Sequence, residues 1–416
     1  MAGTNFDLQG PDAQALQMPV PPAFASAEMA SEMVEVYWLS LVRDVPFANW
    51  ATDPTIAAAC AELSSLSAYK GIRTGGVITP ATFDRLFPQS TIGPFVSQLI
   101  TTDYLSGAFP TSAKLQTVLP NIDYLFDFPS WLANMNGAFP TAAVSLDPTL
   151  RFMRSIRDLT RDVRADFVAQ EFIRAAVVIS DLANNLADPN LIFNPGNPYR
   201  NASRTSGFVT FALNQIIGMI GECGYRAMKA QWYQKFQIHR RLRPEEYGGR
   251  VEVMRQGLAT YPIPAALLNS QGLARSVTKF GTGLLAQAFP EGCPAFPAYG
   301  SGHSTYSGAC ATILKAFFDE RLVFPNPQVP TADGLTRVPY NGADAGQMTL
   351  RVEIDKLADN ISGARQGAGV HYRSDSVESI LLGERMAIGL LQQQKATYPV
   401  PVSFQFTGFL GNPIVI

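Results

Sequence analysis

Residues Glu291–Asp319 read EGCPAFPAYGSGHSTYSGACATILKAFFD. Gly300-Ser301-Gly302-His303 is a turn of small residues, and an apolar periodic run follows it at once. Cys310, Ile313, Leu314 and Phe317 recur at helical spacing, so a helix is predicted to start near Ser304. The first N–H groups of a helix lack intrahelical acceptors and sit at the positive end of its dipole. Gly300 and Gly302 let a ligand approach that backbone closely, which makes the turn a candidate anion site with His303 beside it. An ordinary glycine turn before a helix fits the same residues, so other segments must decide.

Composition bounds the answer. A chain of 416 residues, 47% hydrophobic and 16% charged, is a folded protein with a sizeable core, divided into two or three domains or built as one large helical unit. A net charge of −2 leaves no electrostatic footprint for nucleic acid or an anionic membrane. No run approaches a transmembrane helix in length. The start, MAGTNFDLQGPDAQALQMP, has neither the basic nor the apolar region of a secretory signal. A soluble protein is expected, its compartment unassigned. Cys60, Cys223, Cys293 and Cys310 are scattered without CxxC spacing, so neither a disulfide framework nor a zinc site is expected. The chain has three histidines, His239, His303 and His371.

Residues 1–26 are polar and proline-rich, as suits an extended arm over the surface or against a neighbouring subunit. A helix is predicted over Ala27–Val42, with Met29, Met33, Val36, Tyr37 and Ser40 on one face and Asp44-Val45-Pro46-Phe47 ending it. Residues 50–150 mix short helical pieces with Pro/Gly loops. Asp147–Leu186 reads as one long helical stretch, with Phe167, Phe172, Ala175, Ala176 and Ile179 forming a buried stripe. Residues 187–206 form a loop by composition. Helix resumes near Phe208 and runs to Leu242, where Arg243-Pro244 stops it, because the residue before proline leaves the α region. Asp333-Gly334 is a candidate hairpin turn. A helix over Leu350–Ser362 follows, and Asp375-Ser376-Val377-Glu378 has the order of a capping box with Asp375 as N-cap of the last helix. Strand signals are sparse, so the fold class is all-α. The expected division is an arm (1–26), an N-terminal helical half (27–206) and a C-terminal helical half (207–416).

Two further segments complete the first. In Trp232-Tyr233-Gln234-Lys235-Phe236-Gln237-Ile238-His239-Arg240-Arg241-Leu242-Arg243-Pro244, Trp232, Lys235 and His239 share a helix face at i, i+3 and i+7. Arg243, at the frayed end, can turn back toward that face. By itself this is a basic helix end, where cations suit the dipole. In Arg365-Gln366-Gly367-Ala368-Gly369-Val370-His371-Tyr372-Arg373-Ser374-Asp375, a small-residue turn separates Arg365 from His371. Asp375, four residues on, can accept the other ring N–H of His371 and fix its tautomer, or simply cap the last helix. Together the segments offer Lys235, Arg243 and Arg365 as cations, with Ser301 and the Gly302 amide as neutral donors. His303 and His371 add two imidazoles. Three fixed positive charges suit a tetrahedral oxyanion of charge −2 or −3.

The pattern K-x7-R-P, then S-G-H, then R-x5-H-x3-D resembles the vanadium-dependent haloperoxidases and the related type-2 phosphatidic acid phosphatase superfamily. The resemblance covers roughly residues 230–390 and looks most like the algal and bacterial bromoperoxidase branch. It implies two four-helix bundles in one chain, with the site near the C-terminal bundle, and assembly as a dimer or larger homo-oligomer. It also implies vanadate coordinated by His371, with Lys235, Arg243, Ser301, Gly302 and Arg365 holding its oxygens. His303 would act as acid–base, Lys235 would polarise the bound peroxide, and Trp232 would line the pocket. Hydrogen peroxide, halide and an organic acceptor would be the substrates, and hypohalous acid the product.

Two departures stand out. Where the family motif usually reads P-S-G-H, Gly300 precedes Ser301, which is expected to loosen the turn. Phe296 stands where the algal branch carries a second active-site histidine and where chloroperoxidases carry phenylalanine. An apolar pocket is expected there, with bromide as first choice of halide and iodide or chloride open. Phosphate is isosteric with vanadate, so a soluble acid phosphatase with His371 as nucleophile is the alternative reading.

Overall fold

The computed structural model describes residues 8–416; the first seven residues of the expected arm lie outside the described residues. Helix α1 (Ala27–Val42) keeps its predicted bounds. Ser26 caps it by accepting from Met29 N–H, and α2 (Pro54–Ser65) is capped by Asp53 in the same way. A short α3 (Gln98–Thr101) and α4 (Phe128–Met135) follow among loops. Hairpin β1–β2 (Tyr104–Ser106 with Phe109–Thr111) precedes α4, and the pair β3–β4 (Leu115–Val118 with Leu146–Arg151) encloses it in sequence.

Asp147–Leu186 is not one helix. Strand β4 gives way to α5 (Ile156–Ala165), and after a break comes α6 (Gln170–Leu182). Asp166 leaves the helix in an extended conformation, and Ala169 takes a left-handed one (φ 69°). Phe172, Ala175, Ala176 and Ile179 are buried as expected, but Phe167 falls in the break and is 61% exposed. Periodicity runs through such a break because four irregular residues barely disturb an apolar stripe.

The next helix is also shorter than expected. α7 (Leu213–Tyr233) passes into a π-helical turn, Gln234–His239, and Arg240 ends it in the left-handed region (φ 47°). Then come α8 (Pro244–Arg255), the short α9 (Ala265–Leu268) and α10 (Gln271–Phe280). The chain closes with α11 (Gly302–Phe317), the hairpin β5–β6 (Gln328–Pro330 with Arg337–Pro339), α12 (Leu350–Gly367), α13 (Arg373–Ala396) and β7–β8 (Gln405–Thr407 with Pro413–Val415). The β5–β6 hairpin turns at Asp333-Gly334, as read from the sequence.

Two apolar cores organise these helices. One gathers α6, α7, α11, α12 and α13; the other gathers α1, α2 and α8–α10, so each draws on both halves of the sequence. Within the first core, α11 and α13 touch backbone to backbone. A Cβ on Gly308 would lie 2.0 Å from Ile380 O, and one on Gly383 would lie 2.0 Å from Thr305 O. Only hydrogen fits at either position. Between the cores, buried ion pairs set the docking of α1 on α13: Arg373 binds Glu35, and Arg241 bridges Glu32 and Asp375. Removing one partner of such a pair costs about 3–5 kcal/mol. The arm from residue 8 lies on its own chain, where Gln9 and Gly10 donate to Gln393 Oε1 (3.0 and 2.9 Å) and Met18 N–H donates to Gln234 Oε1 (3.2 Å).

Candidate active site

Arg243 is the hub. As the residue before Pro244 it is extended (φ −73°, ψ 154°), which turns its side chain out of the helical path and back across the site. Its Nε donates to Phe296 O (2.8 Å), and its Nη1 donates to Val370 O (2.8 Å) and His371 Nε2 (3.0 Å). Its Nη2 is buried and has no partner among the described residues.

His371 is held from its other side. Nδ1 lies 3.0 Å from Asp375 Oδ2, and the same oxygen accepts from Tyr372 N–H (3.0 Å). The cap of α13 is therefore Tyr372, with Asp375 one turn in as the reciprocal acceptor. This corrects the expected N-cap role of Asp375, while the same carboxylate does both jobs read from the sequence: it caps the helix and orients the histidine. Its other oxygen accepts from Arg241 Nη1 (2.7 Å). Burial would raise the Asp375 carboxyl, but Arg241 and His371 outweigh it and hold it at about 2. A carboxylate on Nδ1 and a guanidinium on Nε2 assign the proton to Nδ1, so Nε2 is the unprotonated nitrogen and its lone pair accepts from Arg243 Nη1.

Lys235 is 2% exposed, and its ammonium lies 4.6 Å from the Phe296 ring centroid. Among the described residues no hydrogen-bond acceptor reaches it. Burial, then Arg243 and Arg365, push its pKa down to about 6 against the pull of Asp375. Arg365 lies on the last turn of α12 rather than in the turn beyond it. Its Nη1 reaches Val163 O only at 3.4 Å, and its Nε is buried without a partner among the described residues. Burial and then Arg243 depress its pKa. The buried Arg243 and Arg365 guanidiniums and the buried Lys235 have donors to spare and no ion-pair partner among the described residues, and a di- or trivalent tetrahedral oxyanion satisfies both deficits. The residues present fit vanadate in this respect, with His371 Nε2 as the nitrogen available to the metal.

The α11 turn forms the adjoining wall. The helix begins at Gly302, two residues before the predicted start, with Ser301 as its cap. Ser301 Oγ accepts from Ser304 N–H (3.4 Å) and Ser304 O–H (2.9 Å), leaving its own proton free to be donated. The Gly302 N–H meets no acceptor among the described residues. Gly300, preceded by a cis peptide bond, does not slacken the turn. Its carbonyl accepts from Gln231 Nε2, the next N–H donates to Ser379 Oγ (2.9 Å), and a Cβ at position 300 would sit 2.3 Å from that oxygen. Glycine is there because α13 comes too close for anything larger.

His303 faces the cleft from the first turn of α11. Its Nε2 lies 3.1 Å from Asp166 Oδ1, and Asp166 Oδ2 accepts from Tyr306 O–H (2.6 Å). Burial and Arg365 lower the imidazole's pKa, and Asp166 pulls it back up. Asp166 was missed in the sequence, where it lay inside an apparently unbroken helix 137 positions from its partner. Arg241 and Gln231 were missed too, since neither position carries a motif signal of its own.

Phe296, Phe236 and Trp232 cluster with centroids 5.3–6.2 Å apart over the Lys235 side of the pocket, and Trp232 is 49% exposed. His239 does not join them. The π-turn carries it past the Trp232–Lys235 face, so its ring stacks edge-on against Tyr299 (5.0 Å) and Nε2 meets Gln234 Oε1 (3.2 Å) under the arm. A cavity of about 980 Å³ opens onto Arg243, Arg365, His303, Phe296 and Asp166.

An all-α fold with a buried cationic pocket beside an unprotonated imidazole nitrogen makes a candidate oxyanion site built on helical bundles. Comparison with known proteins narrows this. A family model described as the VCPO second helical-bundle domain matches residues 270–398. The vanadium-dependent bromoperoxidase of Ascophyllum nodosum is 34% identical over 433 aligned positions, which cover 99% of this chain and 76% of the relative. That of Corallina officinalis is 33% identical, covering all of this chain and 78% of the relative. A solved structure of the second vanadate-dependent bromoperoxidase of Ascophyllum nodosum, described as homohexameric, superposes with a TM-score of 0.90 at 28% identity. It covers 98% of this chain and 74% of that one. The chain belongs to the vanadium-dependent haloperoxidase family and is an enzyme of the peroxidase class. Among the described residues no helix is long and apolar enough to cross a membrane.

Proposed function

We propose that the pocket holds vanadate and that the enzyme oxidises halide with hydrogen peroxide to hypohalous acid, which halogenates an organic acceptor. The observation that carries this reading is the pair of buried donors without partners among the described residues, Arg243 Nη2 and Arg365 Nε, together with the buried Lys235 and the unprotonated Nε2 of His371, which Arg243 Nη1 holds at 3.0 Å. Bound vanadate supplies a Lewis acid that activates peroxide without changing oxidation state. His371 would hold the metal through Nε2, with Asp375 keeping the proton on Nδ1. Lys235, Arg243, Arg365, Ser301 O–H and the Gly302 N–H take the oxygens.

Each turnover consumes a proton, as peroxide, halide and H⁺ become hypohalous acid and water. His303 stores that proton, with Asp166 stabilising the imidazolium form, and releases it toward the cleft. Lys235 regains full charge once an anion neutralises Arg243 and Arg365, and then draws electron density from the reacting oxygen. Phe296 keeps water from the lysine. Bromide is the proposed halide, as the relatives' names record for those enzymes, with iodide a second substrate.

Phosphate has the same shape and is proposed to compete for the pocket. The same lone pair on His371 Nε2 would serve a phosphatase as nucleophile, which is the second reading. A homo-oligomer is proposed on the precedent of the homohexameric relative. Vanadate-free protein should show no bromide oxidation and gain it on adding vanadate. Phosphate-ester hydrolysis with no halide turnover under any vanadate condition would overturn the haloperoxidase reading in favour of the second.

A further inference from the structure

Behind the His303–Asp166 contact lies a second pair of acids. Asp162 stands on α5 one turn before Asp166, whose N–H donates to Asp162 O (3.0 Å), so both side chains leave the same face of the helix end. Glu171 sits in the first turn of α6, across the break, and is buried. The Asp162 and Glu171 carboxyl groups are in side-chain hydrogen-bond contact with each other. Asp162 Oδ2 and Glu171 Oε2 are buried, and neither has a partner among the described residues. An ionised carboxylate can only accept, so two carboxyls in hydrogen-bond contact hold a proton between them.

The surroundings leave that proton in place. Gln170 Nε2 donates to Glu171 Oε1 (2.9 Å), and Arg174 turns its Nη2 away to Ile100 O and Thr102 O (3.0 and 3.3 Å). Burial raises both carboxyls first, Asp166 adds repulsion, and Arg174 opposes. From α11 the Tyr306 phenol, bound to Asp166, feels all three acids, and Arg365 of α12 acts on Asp166 and His303. Asp166 itself is raised by burial, but His303 and Tyr306 outweigh this and keep it ionised. Asp162 is partly exposed, and neither Asp162 nor Glu171 lines the cavity, so the pair meets solvent by a way other than the cleft.

We propose that Asp162 and Glu171 share one proton and pass it through Asp166 to His303, so that the pair is a proton reservoir for turnover, refilled by buffer acids at Asp162. The proposal rests on the haloperoxidase reading, in which every turnover takes a proton from His303. At pH 8 hydronium is at about 10 nM and, arriving at about 10¹⁰ M⁻¹s⁻¹, delivers about 100 protons per second. Ordinary turnover numbers reach above that rate, so a stored proton lifts the ceiling. Only O–H and N–H bonds change. The proton leaves the acid pair and crosses the one-turn gap to Asp166, a span that one water bridges. It then moves along the 3.1 Å contact to His303 Nε2, leaving Asp166 ionised again, and a buffer acid restores the pair.

The double variant Asp162→Asn/Glu171→Gln keeps an amide–amide contact and removes the proton. Infrared spectra of the vanadate-free chain at pH 8 should show one un-ionised carboxyl fewer in the variant than in wild type. In turnover of bromide at pH 8 and low buffer, kcat of the variant should fall about three- to tenfold with KM for bromide and peroxide unchanged. Raising the concentration of boric acid, which hypobromous acid does not oxidise, at constant pH and ionic strength should restore kcat, while wild type responds little. Glu171→Gln alone carries the same turnover test if the double variant does not fold. Equal counts of un-ionised carboxyl, an unchanged kcat, or a loss that buffer acid does not restore would each overturn the reservoir in an enzyme that still turns over. Wild-type protein that oxidises no halide in the presence of vanadate would instead sink the haloperoxidase reading, and the reservoir with it.

Discussion

His303 Nε2 lies 3.1 Å from Asp166 Oδ1, and the pair joins the first turn of α11 to the break between α5 and α6. The carboxylate favours the protonated imidazole while burial and Arg365 disfavour it. Replacing Asp166 with Asn removes the favourable influence, so the His303 pKa falls. The high-pH limb of the kcat profile should shift to lower pH, and kcat should drop about tenfold or more. Vanadate binding should persist. An unchanged limb in the pH profile would separate Asp166 from proton handling.

Lys235 links anion binding to proton uptake. With the pocket cations unneutralised, burial, Arg243 and Arg365 hold it at about 6; an anion stabilises the charged form and raises that value. Between the two values the bound state carries the extra proton, so affinity must rise as pH falls toward 6 and level off below it. Sulfate does not titrate in this range, which makes it the clean probe. Calorimetry in buffers of different ionisation enthalpy should show uptake of up to about one proton at pH 8, lost in Lys235→Met. Proton release would contradict the assignment. In the anion-free protein the sign is also set: an amine depressed below its ordinary 10.5 leaves the unfolded state holding more protons, so its contribution to stability rises with pH from 6 to 10.5.

Gly300 makes room for Ser379. Gly300→Ala places a Cβ 2.3 Å from Ser379 Oγ and should cost about 1–3 kcal/mol, read as a lower Tm. Combining it with Ser379→Gly should recover part of that loss, although Met18 Cε at 2.9 Å keeps the rescue incomplete. Equal Tm values for wild type and Gly300→Ala would return the turn to the slack state expected from its missing proline.

Arg240, exposed and in the left-handed region, lines the cavity mouth. Its guanidinium has no ion-pair partner among the described residues. It is placed to draw halide inward, so Arg240→Glu should lower kcat/KM for bromide about three- to tenfold at low ionic strength and flatten the salt dependence. The value of kcat should hold. A fall in kcat with an unaltered salt slope would give Arg240 another role.

The pocket was legible in sequence where a residue type and its neighbour jointly constrained the backbone. Arg243 had to be extended because proline follows it, and Ser301-Gly302 had to open a helix because an apolar stripe follows them. Asp375 sat four residues from His371, close enough that either assignment of the cap left it on the imidazole. The illegible parts are those set by packing. Asp166 reaches His303 only because α5 stops where periodicity gave no warning. His239 leaves the Lys235 face because a π-turn replaces an α-turn, and i, i+7 spacing assumes the latter. Gly300 read as freedom and proved to be close approach, since nothing in its own neighbourhood announces Ser379. The two cores each draw helices from both ends of the chain, and long-range ion pairs such as Glu32–Arg241–Asp375 lie between them, pairings that local patterns do not encode.

Equilibrium binding of vanadate to three proteins, wild type, Asp375→Asn and His371→Ala, bears most directly on the pocket. The expected result is one vanadate per wild-type chain, an affinity about 10–100-fold weaker when Asp375 no longer orients the ring, and loss of specific binding when His371 is gone. A folded His371→Ala protein that binds vanadate as tightly as wild type, or a wild-type chain that binds none, would contradict the assignment of His371 Nε2 and the three cations as the vanadate site.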